Sequence, residues 1–434
     1  MPSRRATRAA ASVITLLVLL SWIAAASPVR DALTLASVPG VRLMRPFWYV
    51  VLAPACTVLD ALTLLSVRQN LAVILSLALI YVLWRIVRWF AGRRLARRSL
   101  LRSALRELRL ALRALGVLVA VYGIGIVAPR PMAALRVSDP DAVIVDVHSH
   151  TNYSHDGRAD FSPRVNRAWH RAAGFDVAYI TDHRSFDGAT EAMALNPRVA
   201  GDSIVMLSGL EFVMHNSHLV ALGLTAPDER WLYVDRQKTH PNWPPLVRPP
   251  PVLIQTIPEN LDNLPPPDSS GTHGVLGIEL SDGAPRGIEQ AQRDRARILH
   301  LSDSLHLALV AASNNHGWGG TAVAWSVLRI PGWRALTPDS LDDAIQRRIR
   351  TARRQAVQVI ERRSPSADRS RVALSATLPA VAWNLFVTLS PVERVSWIVW
   401  AWIVAALIVR AGRPGEPGRP AEPAGPGGEG PPEG

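Results

Sequence analysis

Lysine is nearly absent from this 434-residue chain: Lys238 is the only one, so the formal net charge of +13 rests almost wholly on arginine. Much of that arginine lies in short runs beside apolar stretches, a pattern that signals membrane orientation before nucleic acid. No basic stretch is interleaved with aromatics on a recognisable nucleic-acid fold, so neither DNA nor RNA is an expected partner. Cysteine is as scarce. Cys56, the single one, lies in an apolar segment, which excludes an intrachain disulfide and says nothing about redox compartment. No repeat of fixed period is visible.

What the chain has instead is a set of long apolar runs. The start, "MPSRRATRAAASVITLLVLLSWIAAAS", has a basic head, an apolar run and small residues at Ala24 to Ser27, which fits a signal peptide or a first transmembrane helix; the runs that follow favour the anchor. Phe47 to Val67 is long enough to cross a bilayer, although Asp60 inside it is costly unless it faces another helix or water. Leu71 to Phe90 is the clearest span. "GRRLARRSLLRSALRELRLALR", residues 92–113, alternates arginine with leucine at roughly helical spacing, as an amphipathic helix on an anionic, cytoplasmic membrane face would. Ala114 to Pro129 is a short fourth span. Val372 to Leu389 and Val395 to Val409, separated by "SPVER", read as a hairpin of two more, and the Pro/Gly/Glu-rich tail 411–434 reads as disordered.

If the first three apolar segments all cross, the arginine-rich stretch falls outside, against the positive-inside rule, so the segment holding Asp60 is expected to be re-entrant or interfacial. The expected organisation is a membrane region at 1–130, a soluble domain at 138–335, a basic linker helix at 336–371, the helical hairpin at 372–410 and the tail. It describes an integral protein of the cell membrane, in contact with the lipid bilayer. The soluble domain falls outside the cytoplasm, although the arginines of 343–371 pull the other way.

Between Asp139 and about Pro331, short apolar runs alternate with polar helical stretches, the pattern of a βα-repeating domain. "AVIVDVH", "FDVAYITDH", "SIVMLSGLE", "SHLVALGL", "PVLIQTI", "GVLGIEL" and "LALVAASNNH" each read as a buried strand. Several carry His, Asp, Glu or Asn at the C-terminal end, where the strands of a parallel barrel converge on one mouth. A lone histidine there is usually structural. In "VDVHSHTNYSHDG" the case is stronger, because strand alternation puts His148 and His150 on one face, with Asp146 before them as a ligand or as a carboxylate that orients an imidazole. The turn at Gly157 brings back His155 or Asp156.

"DVHSHTNYSHDG", "ITDH", "GLE" and "SHLVALG", in this order and at domain-like spacing, resemble the PHP (polymerase and histidinol phosphatase) superfamily of metal-dependent phosphoesterases over about residues 140–325. The resemblance implies an α/β fold, a distorted seven-stranded βα (TIM-like) barrel, here flanked by transmembrane helices. It also implies up to three divalent ions, typically zinc, manganese or iron, at the C-terminal strand ends. His148 and His150 match the first ligand pair, His155 or Asp156 the ligand after the serine, His183 the second motif, Glu211 the bridging carboxylate and His218 the histidine before the next strand. His316 in "SNNHG" matches the end of the last motif.

Two positions depart from the family. Ile257 stands where a histidine precedes proline, and Asn314 where an aspartate is expected, so one or two ions are expected rather than three. Glu279, His240 and His273 are weaker candidates to compensate. Two functions follow: hydrolysis of a phosphorylated substrate by metal-activated water, with His148, His150, Glu211 and His316 as catalytic residues, or a metal-holding module without turnover that serves as a membrane sensor. Arg184 and Arg286 are candidates for binding the phosphate. The glycines of "NNHGWGGT" fit either backbone donors near the substrate or a tight turn.

Overall fold

The computed structural model describes residues 4–91, 100–214, 216–224, 251–264, 275–365 and 375–411. Strands β1 (Val29–Asp31) and β2 (Val41–Met44) follow the first long helix. Then come β3 (Ala134–Val137), β4 (Ala142–Ser149), β5 (Val177–Ile180), β6 (Val205–Met214), β7 (Ser217–Leu222), β8 (Val252–Gln255), β9 (Val275–Asp282), β10 (Ala308–Ala312), β11 (Ala324–Arg329) and β12 (Val357–Arg362). Ten of these form one curled sheet in the order β1-β12-β11-β4-β5-β6-β7-β8-β9-β10, and β2 pairs with β3 alone.

The fold is α/β, and the seven apolar runs read in the sequence are β4 to β10, side by side in that order. Every residue of β4, "AVIVDVHS", is buried, as a strand covered on both faces requires. Val145, Tyr179, Leu207, Val220, Ile254 and Val310 fill the inside of the curl. Leu341, Ile345 and Ile349 of the Pro338–Ala352 helix plug it where β4, β5 and β6 begin.

β4, β5 and β6 are parallel, β7 runs back against β6 and β8, and β8, β9 and β10 are parallel again. Because β7 is reversed, its beginning lies at the mouth where the parallel strands end. That is why His218, at the start of its strand, belongs with residues from strand ends.

The three extra strands come from segments assigned elsewhere by the sequence. β11 takes the edge of β4 from Ala142 to Val145, β12 pairs with β11, and β1 with β12, all antiparallel. With that edge taken, β10 reaches β4 only beyond Val145. Asn314 N–H donates to His148 O (2.9 Å), His150 N–H donates to Asn315 O (3.2 Å), and Ser326 Oγ bonds both backbone groups of Ala311 (2.8 and 3.0 Å). The curl therefore closes at the mouth, which fixes the loop after β10 against the end of β4.

Three expected boundaries change. The linker helix at 336–371 is part of the domain, since Pro338–Ala352 buries one apolar face in the core and β12 extends the sheet. Residues 29–44, expected in the membrane region, supply β1 and β2. The stretch from Phe47 to Val67 is not one span: it holds the short helices Phe47–Val51 and Ala53–Thr63, where Pro54 cannot continue a helix begun before it.

Among the described residues, four helices are long and apolar enough to cross a membrane: Arg4–Ile23, Val67–Val87, Leu105–Val127 and Pro391–Ala411. The expected C-terminal hairpin has one such helix. Its other arm is Thr377–Val387, 11 residues and roughly 17 Å long against a hydrocarbon core of roughly 30 Å. The arginine-rich segment is not a separate surface helix either. From Leu100 it continues without a break into Val127, and residues 92–99 lie outside the described residues, as does the tail from 412.

Candidate metal centre

His148 and His150 leave the end of β4, where the β4–β5 register shifts between Asp146 and Ser149. Glu211 projects from β6, and His183 follows β5 and bridges to Glu211 in the sheet. One carboxylate oxygen, Glu211 Oε2, lies 3.1 Å from His148 Nε2, 3.2 Å from His150 Nε2 and 3.2 Å from His183 Nε2. The His148 and His150 Nε2 atoms are themselves 2.9 Å apart.

Around this point, among the described residues, four groups of side chains bring ligand atoms close enough to hold an ion: His148, His150 and Glu211; His183, Glu211 and His218; His150, Asp156, His183 and His316; His148, Glu279 and Asp282. Their chemistry fits a divalent cation, being imidazole nitrogen and carboxylate oxygen throughout. Buried polar atoms left without a hydrogen bond point the same way: His150 Nδ1, Asp282 Oδ2, Asn314 Oδ1 and His316 Nε2. His316 Nε2 is 3.1 Å from Asp156 Oδ2 but out of line for a hydrogen bond, and its ring stacks on His150 at 4.0 Å.

The solved structures this chain is similar to include a PHP-like phosphoesterase. It lies in a two-domain protein from Bacteroides vulgatus containing a predicted PHP-like metal-dependent phosphoesterase: 15% identity, TM-score 0.30, 49% of this chain and 63% of that one. PsfC from Pseudomonas syringae is 13% identical, with a TM-score of 0.33 and coverage of 62% and 99%. An amidohydrolase from Chromobacterium violaceum, with bound sulfate and no metal, is 18% identical, with a TM-score of 0.28 and coverage of 45% and 98%. No family profile and no curated protein matches the chain. Likenesses this distant leave the chemistry of the site to its own side chains.

Those side chains divide the protons unevenly. Burial disfavours charge on His148, but the Glu211 and Glu279 carboxylates on either side outweigh it and hold this imidazole well above its usual range. Burial, reinforced by His316, pushes His150 down to about 3, and burial also lowers His183. Both are neutral at pH 7, with a lone pair free for a cation. Burial resists ionisation of Glu211, yet His148 and His150 keep it well below the usual carboxylate range.

Glu279, weighed in the sequence only as a weak candidate, lies fully buried in the centre. Its Oε1 is 2.8 Å from His148 Nδ1, and its Oε2 accepts the Ile257 N–H at 2.9 Å. Ile257, the departure from the family pattern, thus holds a carboxylate in place through its backbone. Asp282, three residues on, was not identified in the sequence; burial drives its carboxyl well above the usual range. Glu259 was also missed. It pairs with His218 Nδ1, and that bond raises the His218 pKa. The acidic residue just past β8 in "IPEN" was the available signal.

Other expectations change. The His155 side chain is 74% exposed and stands outside all four groups, so the turn returns Asp156 and not its neighbour. Asp146 supports the frame: its Oδ1 accepts Ser313 N–H at 2.9 Å, and its Oδ2 bonds the core residue His170 at 2.7 Å. Asn314 hydrogen-bonds the Asp282 carboxyl through its side chain and leaves its Oδ1 unpartnered. Arg184 and Arg286 are exposed. His240 and His273 lie outside the described residues. The glycine stretch is partly structural: Gly317 has φ 89°, and a Cβ on Gly320 would lie 2.3 Å from Arg130 Nη1.

Proposed function

We propose that the chain is a membrane-anchored phosphoesterase that hydrolyses its substrate with divalent ions, zinc, manganese or iron, at the barrel mouth. The observation that carries this reading is the convergence of three imidazole nitrogens on one Glu211 oxygen. The sharing of ligands limits the number of ions. A neutral imidazole has one lone pair, whereas a carboxylate can bridge. The His148/His150/Glu211 and His183/Glu211/His218 groups share only Glu211, so both can fill; adding either remaining group would ask one histidine to serve two ions. Two ions is therefore the capacity we assign.

Such ions, when bound, lower the pKa of water toward neutrality and neutralise phosphoryl oxygens. The chain's own residues do the rest. Glu279, fixed by Ile257 N–H, orients His148, and Glu259 orients His218. His316 Nδ1 donates to Asn314 O at 3.1 Å, which turns Nε2 toward Asp156. With Nδ1–H held on that carbonyl, Nε2 would carry a proton only when His316 is an imidazolium; in that form it would give the proton to the departing oxygen as a hydroxide oxygen bonds to phosphorus and the ester P–O bond breaks.

The test is metal analysis of the purified full chain beside its His148→Ala/His150→Ala variant, with hydrolysis of a small soluble phosphomonoester and a phosphodiester. Two equivalents of metal and turnover in the wild type, with at least one equivalent and the turnover lost in the variant, are expected. Wild-type protein without stoichiometric metal overturns the proposal. Asn314, which brings no charge, favours the sensor reading, and metal binding without turnover would select it. The proposal includes placement in the cell membrane, with the barrel on the extracytoplasmic side.

A further inference from the structure

Building on the phosphoesterase reading, we infer that the phosphate ester cleaved at this centre belongs to a membrane lipid, whose hydrocarbon chain lies in an apolar channel leading from the barrel mouth between the membrane helices. A cavity of about 620 Å³ has Asp156, Asn314 and His316 on one wall and Leu59, Leu62 and Gly125 on the other. One end is thus the candidate metal centre, and the other is formed by an apolar short helix and the end of a candidate spanning helix. Gly125 keeps the passage open: a Cβ there would lie 3.2 Å from Leu59 Cδ2.

A second cavity of about 860 Å³ shares Leu62, Val121 and Tyr122 with the first and continues along Ile74, Leu77 and Leu118. Each volume is in the range of a ligand site, and side by side they trace an elongated, mainly apolar path with Asp156, Asn314 and His316 at the mouth and Arg113 as the charged side chain on the lining of the second cavity. A water-soluble substrate has no use for that path, whereas an amphiphile with its headgroup at the mouth would lay its chain along the Leu59, Leu62, Val121, Leu118, Ile74 and Leu77 side of it.

The wall near the mouth also suits an anion. Arg130 packs under Gly320, and Arg362 donates to Thr321 Oγ1 at 2.6 Å; Gly320 and Thr321 both line the first cavity. Within their buried cluster the two guanidiniums share one carboxylate, Asp60, leaving a positive surplus behind the cavity wall. Trp318, on the same lining, is half exposed, a placement suited to a membrane–water interface.

The full chain in detergent would be labelled with a phosphatidic acid carrying a diazirine midway along one acyl chain. Saturable adducts in the peptides spanning 59–65 and 118–126 are expected, displaced by unlabelled phosphatidic acid and not by diacylglycerol. Val121→Trp and Gly125→Leu, which fill the channel, should each reduce that labelling at least about tenfold, with metal content verifying that the variants are folded. Unsaturable labelling spread over all four long helices, or equal displacement by diacylglycerol, overturns the inference. Hydrolysis of the soluble ester accompanied by unsaturable labelling would retain the phosphoesterase and reject the lipid. Saturable labelling of a chain that holds no metal would retain the lipid site and reject the phosphoesterase.

Discussion

Asp342, on the helix that plugs the closed end of the barrel, accepts hydrogen bonds from Tyr179 Oη and from Gln346 Nε2 at 3.1 Å. Burial pushes its carboxyl from 3.8 up to about 6. The folded chain thus binds this proton more tightly than the unfolded chain, and the associated stability is complete below about pH 4 and lost as pH rises through 6. Asp342→Asn keeps an acceptor for Tyr179 and removes the titration, so its melting temperature relative to the wild type should rise between pH 4 and 7. A difference that stays flat across that range would contradict the assignment. Titratable groups at the mouth were only partly legible in the sequence. His148 and His150 could be paired because a strand's period of two is local. Glu259 and Asp282 could not, because their partners lie on other strands and only the register brings them near.

Asp60 marks what an element can hide. Inside an apolar run it reads as a charge in the membrane, but its helix, Ala53–Thr63, is an elbow under the barrel. The carboxylate is 2% exposed, accepts Tyr49 Oη and Arg362 Nη1 at 2.9 Å each, and pairs with Arg130 Nη2 at 3.2 Å. Arg362 comes from β12, so this one side chain ties the apolar helices to the sheet. Removing one partner of a buried ion pair costs roughly 3–5 kcal/mol. Asp60→Ala should therefore lower stability by about that amount in denaturant unfolding of the detergent-solubilised chain. A loss below about 1 kcal/mol would mean that the cluster is solvated. The sequence correctly made this segment the exception among the spans, and its charge was the signal; the partner 302 residues away was invisible there.

For the whole molecule, the arrangement of helix ends bears on the proposed topology. Ile23 leads into β1, Arg68 pairs with Glu289 of the domain, Arg130 follows Val127 into the Asp60 cluster, and Glu393 pairs with Arg45. Each of the four long helices described thus has its barrel-side end identified, and the described residues at the opposite ends include Arg4, Arg5, Arg8 and Arg410. Under the proposed membrane placement, positive charge inside would put the barrel outside, and the conflict met in the sequence would disappear because neither short apolar segment is counted as a span. Reporters fused after residues 92 and 365 should accordingly report opposite sides, the first cytoplasmic; the same side for both would reject this topology. The sequence by itself determined the seven barrel strands, the pairing of His148 with His150 and the presence of long apolar helices, since strand period, apolar run length and local motifs are written in neighbouring residues. Only the tertiary structure decided how many helices are long enough to cross, which carboxylates stand behind the histidines, and that the mouth opens onto an apolar channel. Those depend on chain reversal at β7, on closure of β10 against β4 and on helices packed from distant parts of the chain, none of which has a local signature.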